Sequence, residues 1–182
     1  MRFADVLNNQ KLWAVVYDGD SVDILTKTLS EWMDPSFLEV FFTENKQDLE
    51  KYFNVTNIDQ AIYDTIVDAA GLTCLILDIN PDANLDALFR PLENYRIREM
   101  LLAREKAKGG RVAQHPSWLR IYAIKLNQGV YLVTGGAIKL THQMSERKHT
   151  LNELSKMEKV RNYLIDNGIA DDEGLISYTT EG

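Results

Sequence analysis

The stretch WLRIYAIKLNQGVYLVT, residues 118–134, constrains the fold of this chain more than any other. Two runs rich in β-branched and aromatic residues flank Asn127-Gln128-Gly129, and Gly129 suits the left-handed position of a bulged hairpin loop. An antiparallel hairpin is predicted. A three-residue turn pairs Leu126 with Val130, and counting back sets Ile124 opposite Leu132, Tyr122 opposite Thr134 and Arg120 opposite Gly136. Arg120 and Tyr122 then share a face over a glycine without bulk, which leaves room for a ligand. The alternative of equal weight is that the two merely form an exposed sheet face. Gly135-Gly136 permits a bulge or bend before a third strand, Ala137 to Leu140, and one bulge residue brings Lys139 round to join Arg120. A final helix opens with the capping box Thr150-x-x-Glu153, buries Leu154, Met157, Val160 and Leu164, and stops at Asn167-Gly168.

Before this block, LWAVVY (residues 12–17) reads as a short buried strand ended by the turn Asp18-Gly19-Asp20. Two helices follow. Val22, Leu25, Leu29 and Trp32 recur at helical spacing in the first; in the second Asp34 caps, Pro35 takes the first turn, Phe37, Leu38, Phe41 and Phe42 form an apolar face, and a charged tail reaches Phe53. A third helix begins near Thr56 or Asn57 with Ile58, Ala61, Ile62, Thr65, Ile66 and Ala69 on one stripe, and with Asp59, Asp64 and Asp68 assigned to its solvated side. Periodicity leaves strand and buried helix both open for LTCLILDI, residues 72–79. A proline-bounded connector (residues 81–92) leads to a basic helix from Glu93 to Lys108, stopped by Gly109-Gly110 and followed by a loop from Arg111 to Ser117. The expected architecture is one α+β domain over residues 1–182, with a small antiparallel sheet, a C-terminal helix and an added N-terminal helical region.

At 182 residues and 45% apolar content, the chain can bury one ordinary core. Its one cysteine, Cys74, lies in an apolar run and is expected to be a buried structural thiol. The N-terminal MRFADVLNNQKL has no apolar leader segment, and no stretch approaches the roughly 20 apolar residues of a membrane span, so a cytoplasmic protein with no membrane partner is expected. The net charge of −7 conceals a strong asymmetry. Residues 1–89 carry 5 Lys/Arg against 16 Asp/Glu, whereas residues 90–163 carry 15 against 6. A basic region of that density is suited to phosphate or to an acidic partner.

Within THQMSERKHT, His142, Arg147, Lys148 and His149 fall just before a helix start. A near-neutral imidazole can move a proton, while cationic side chains and unpaired helix N–H groups stabilise phosphate oxygens. With Arg120, these residue types can bind an RNA phosphodiester, deprotonate the ribose 2′-hydroxyl and stabilise the phosphorane without metal or cofactor. The candidate catalytic set is Arg120, Lys139, His149, His142 and Tyr122; the candidate RNA or phosphate contacts are Arg96, Arg104, Lys106, Lys108, Arg111, Arg147 and Lys148. The plainer alternative makes His149 only the residue before a helix cap. His115, ahead of Pro116 in a loop, carries the least weight.

Asp18-Gly19-Asp20-Ser21 after an apolar strand mimics the DxD of haloacid-dehalogenase-like phosphatases, a minor alternative that needs a parallel doubly wound sheet. Gly19-Asp20-Ser21 also echoes a lipase-like serine motif, but no downstream Asp-x-x-His accompanies it. A turn and helix cap explain both.

The succession LRIY, a hairpin, a strand ending in IKLT, a short loop and the amphipathic TLNELSKMEKVRNYL with His149-Thr150 at its start resembles the C-terminal half of the RelE/HigB toxin superfamily, over residues 118–165. LWAVVY matches that fold's first strand. The resemblance implies a small α+β core, at residues 90–165, cleaving messenger RNA, often on the ribosome, and restrained by an antitoxin protein. It puts Arg120 at the family arginine entering the hairpin and Lys139 where the third strand commonly carries lysine. The chain departs from the family in being longer and acidic, in its N-terminal region, and in the run TGGAIKLTHQM, which lacks the usual aromatic-lysine-lysine pattern. Two other readings accompany the ribonuclease: a non-catalytic module binding RNA, the ribosome or an acidic partner, and an acidic N-terminal region that covers the basic face in cis.

Overall fold

LWAVVY becomes a buried strand because it is uniformly apolar, and it sits inside a sheet rather than at its edge. A computed structural model describes residues 1–77, 85–91, 103–108, 111–112 and 115–181. The strands are β1 (Arg2–Asp5), β2 (Leu12–Val16), β3 (Arg90–Pro91), β4 (Ala103–Lys108), β5 (Arg111–Val112), β6 (His115–Pro116), β7 (Leu119–Asn127) and β8 (Val130–Ile138). Six of them form one sheet in the order β1-β2-β8-β7-β4-β3, and β5 and β6 form a separate pair. Only β2 and β8 run parallel, in register from Leu12↔Tyr131 to Ala14↔Val133; the other pairings among the described residues are antiparallel. The α+β expectation holds. A doubly wound parallel sheet, the scaffold of the phosphatase alternative, is not what the chain forms.

The hairpin forms as expected but with a different register. Asn127 pairs with Val130, so the loop is the two residues Gln128-Gly129, and Leu126 absorbs the offset instead of pairing with Val130. Gly129 has φ +70°, the left-handed conformation expected of it. A second irregularity makes Thr134 the extra residue of a bulge, so Tyr122 faces Gly135 and Arg120 faces Ala137 rather than Thr134 and Gly136. No separate third strand follows, because β8 continues unbroken through Gly135-Gly136 to Ile138. The bulge lies one residue earlier than expected, leaving both glycines in ordinary pairs.

Helices α1 (Ile24–Trp32), α2 (Pro35–Glu44), α3 (Lys46–Phe53) and α4 (Ile58–Leu77) form the N-terminal region. Asp23 caps α1 with its carboxylate on the Leu25 and Thr26 N–H groups, and Asp34 caps α2. The expected charged tail of α2 is a separate helix, because the Asn45 side chain turns back to the Phe41 carbonyl (2.8 Å) and ends the first segment. The open question at residues 72–77 resolves as helix. Leu72 and Ile76 face the core while Cys74 is exposed, which corrects the expected buried thiol: helical spacing turns residue 74 away from the stripe that buries 72 and 76.

Asp64 and Asp68 are also not on a solvated face; they are 3% and 6% exposed. α4 is 20 residues long and apolar enough to cross a membrane by length and composition. This corrects the expectation that no stretch approaches a membrane span; the inward polar groups of α4 bond to the chain, while Tyr63, Val67, Leu75 and Leu77 on its other side are exposed. Asp64 lies 3.1 Å from His115 Nε2, Asp68 accepts from the Ser117 hydroxyl, and Thr65 Oγ1 accepts from the Trp118 indole at 2.9 Å. His115 stacks on Trp118 with centroids 4.1 Å apart. The loop histidine of least weight is thus a buried strut.

The expected basic helix fails over residues 103–108, which form β4 paired with β7; residues 92–102, Arg96 among them, lie outside the described residues. Helix α5 (Lys148–Asp166) starts earlier than expected, with Arg147 at its N-cap. Thr150 Oγ1 donates to the Met144 and Arg147 carbonyls, and Glu153 bonds elsewhere, so their capping box does not form. The reciprocal box belongs to Gln143 and Glu146, on the short 3₁₀ turn that precedes α5. Asp172–Glu181 form a further helix, α6, which the sequence pattern does not announce.

A candidate site at the open edge of β8

Parallel pairing with β2 stops at Ala14↔Val133, so from the bulge onward one edge of β8 has no strand beside it among the described residues. Unpaired backbone groups in a buried edge are costly and need partners. Side chains supply them. The Tyr17 hydroxyl donates to the Thr134 carbonyl at 2.6 Å, and His149 Nε2 lies 3.0 Å from the Ile138 carbonyl, which fixes that nitrogen as the protonated one. Between them the Gly136 N–H approaches the Glu153 carboxylate.

The space left at this edge is a cavity of about 490 Å³ between α1 and α5. Its apolar walls include Trp32, Phe37 and Phe41, and its polar groups are Tyr17, Asp20, Lys27, Glu31, His149, Glu153 and Lys156. Two ion pairs lie along its walls, Lys27–Asp20 at 2.9 Å on the α1 side and Lys156–Glu153 Oε1 at 2.7 Å within α5. The other oxygen, Glu153 Oε2, is buried against the Gly135-Gly136 backbone. The Glu153 side chain is 7% exposed; burial raises its pKa, Lys156 and the Gly136 N–H oppose that, and Glu31 adds to it. Burial likewise raises Glu31. Tyr17 is pushed above the ordinary phenol range by burial and by Glu153.

The glycine pair explains how α5 and α1 come so near. A Cβ on Gly135 would lie 1.9 Å from Glu153 Oε2, and one on Gly136 would lie 2.7 Å from Thr28 Cγ2 and 3.1 Å from Trp32. The room expected for a ligand over Gly136 is not open: Thr28 and Trp32 stand over that glycine, and Arg120 pairs with Ala137 instead. The sequence does carry a signal for Glu153 beyond the capping box: it falls on the stripe Thr150, Met157, Val160 and Leu164 that α5 buries. A carboxylate on an apolar stripe is an anomaly more consistent with a site than with a cap.

The sequence-predicted set is dispersed. Arg120 Nη1 donates to the Ser117 and Leu119 carbonyls at 2.8 and 2.7 Å; burial lowers its pKa, against the favourable charges of Tyr122 and Asp68. Tyr122 is fully buried against Ala137 and Met157 with its hydroxyl unpartnered. Lys139 donates to the Thr141 and His142 carbonyls at 2.8 and 2.5 Å, and the His142 ring meets Tyr52 edge-on at 4.9 Å. Arg147 makes two hydrogen bonds to Asp48, at 2.6 and 2.5 Å, although Asp48 is only 5% exposed. Lys148 is exposed. Lys106 is half-buried on β4, with positions 104 and 108 flanking it, and Arg111 lies on β5. The loop before α5 thus brings His142 and Arg147 against α3, Lys139 ties that loop to itself, and of the set only His149 reaches the cavity. No group of three or more potential metal ligands occurs among the described residues. Compared with known proteins, the chain matches no family model, no curated protein and no solved structure.

Proposed function

We propose that this chain is a RelE/HigB-like module that binds RNA along β4 and Arg120, rather than an endoribonuclease built on Arg120, Lys139, His149, His142 and Tyr122. The observation that carries the reading is the register of β4 on β7. Arg104, Lys106 and Lys108 stand opposite Ile124, Tyr122 and Arg120, so three basic positions at alternate residues line up beside the arginine. Basic residues are the type that makes the sequence-independent phosphate contacts dominating nucleic-acid affinity. Meanwhile Arg147 is engaged by Asp48, and His149 supports the edge of β8. Those bonds must break before either residue could act on a phosphodiester.

The test uses the full chain and a labelled single-stranded RNA in EDTA. The expected result is a retained complex that leaves the RNA intact and weakens in Arg120→Ala. Arg120-dependent fragments with 2′,3′-cyclic phosphate ends, accompanied by growth arrest on induced expression, would overturn the binding reading in favour of the ribonuclease. No retention of RNA at low salt would overturn both.

A further inference from the structure

We propose that the outward face of α4 is a self-association surface, on which a second copy of this chain lays its own α4 in antiparallel orientation. The inference is independent of RNA binding, and it starts from an inverted helix. Within residues 61–77 the charged side chains, Asp64 and Asp68, are buried, whereas the exposed positions are apolar or small and none is charged. Tyr63 is 64% exposed and Leu75 55%. An ordinary surface helix has the opposite arrangement, so this face is one that a partner covers.

Spacing identifies that partner as a helix. Tyr63, Val67, Ala70, Cys74 and Leu77 follow one another at alternating steps of four and three residues, the seam of a coiled coil. The centre of the seam is shaped for close approach. Gly71 lies in mid-helix, where glycine costs helical stability, yet a Cβ there would meet no atom within 4 Å. Nothing in the chain's own packing requires that glycine, and a second helix backbone crossing beside Ala70 does. The seam is also self-complementary. A two-fold axis at Ala70 sets Val67 against Cys74 of the second copy and Tyr63 against its Leu77, with large residues outside and small ones at the crossing. The two helix dipoles then oppose each other.

A bilayer is the poorer occupant. The chain has no Lys or Arg between Lys51 and Arg90, and six Asp in that interval, so no cation flanks the face to meet anionic headgroups. Asp64 and Asp68 also tie the other side of the helix to His115 and Ser117. A seam from Tyr63 to Leu77 is about 21 Å long at roughly 1.5 Å per residue. That places the buried area at the low end for specific interfaces, so the dimer is reversible and concentration-dependent.

Sedimentation velocity of the full chain at increasing concentration tests the proposal. A monomer–dimer equilibrium is expected, in which Val67→Glu and Gly71→Leu each raise the dissociation constant at least tenfold. Gly71→Leu should at the same time raise the melting temperature of the dilute monomer, so a loss of dimer cannot be laid to misfolding. Orientation is read from Val67→Cys, whose new thiol meets Cys74 of the second copy and should give covalent dimers on mild oxidation much faster than the parent does. A monomer at every concentration up to the solubility limit, a dimer indifferent to both Val67→Glu and Gly71→Leu, or crosslinking no faster in Val67→Cys than in the parent would each overturn the proposal. Binding of the parent to phosphatidylcholine–phosphatidylglycerol vesicles that Val67→Glu abolishes would overturn it in favour of a membrane.

Discussion

Glu153 shows how one residue can announce its importance in the sequence while its role stays hidden there. Its spacing from Thr150 fits a capping box, and at the level of sequence nothing contradicts that. In the fold, the carboxylate is drawn to the open edge of β8, where burial raises its pKa. The folded chain therefore binds the Glu153 proton more tightly than the unfolded chain does. On that account folding stability falls as pH rises from the unfolded carboxyl value, near 4.5, through the higher folded one, and the penalty persists above it. Glu153→Gln removes the penalty. Urea unfolding at pH 4 and pH 8 should show the variant gaining stability relative to the parent at the higher pH, and an equal difference at both would show that burial does not control this carboxyl. Taking the difference between the two proteins isolates Glu153 from the groups that titrate in both.

Among the elements, β8 organises the molecule, with α5 on one side and α1 on the other, and each close approach depends on a glycine. Gly135→Ala should force the Glu153 carboxylate off the strand, at a cost of about 1–3 kcal/mol for overpacking. If the clash with Glu153 is the cause, the loss should be much smaller in the background Glu153→Ala, a non-additivity that a double-mutant cycle in urea measures. Additive losses would place the strain elsewhere. The hairpin, the caps at Asp34 and Asn167, and the LWAVVY strand are all legible from local pattern, because turn chemistry and apolar spacing are local properties. The bulge at Thr134 is not. Its position depends on partners distant in sequence, including the Tyr17 hydroxyl that takes up the Thr134 carbonyl. The β4 strand escapes a local reading for a related reason: its Arg and Lys residues have good helix propensity, and only pairing with β7 overrides it.

At the scale of the whole molecule, the charge asymmetry is visible in the sequence, but its consequence is not. The acidic half does not merely face away. Asp48 on α3 grips Arg147, while Asp64 and Asp68 on α4 hold His115 and Ser117, at the foot of the strand that carries Arg120. These interactions restrain part of the basic half, in which β4 carries basic residues at three alternate positions. If β4 binds RNA, replacing Arg104, Lys106 and Lys108 with glutamine should reduce the slope of log affinity against log salt by roughly 0.7 for each phosphate no longer neutralised, about two units in all for single-stranded RNA. Affinity at low salt should fall together with the slope, whereas circular dichroism should stay unchanged, because glutamine keeps the strand backbone and much of the side-chain length. The companion variant Asp48→Asn frees Arg147 and adds no basic residue. Under the proposed reading it raises affinity only modestly, through one extra available cation. An unchanged slope in the triple variant, with a large gain in Asp48→Asn, would move the RNA-binding surface from β4 to the loop before α5 and would reopen the case for a restrained catalytic site there.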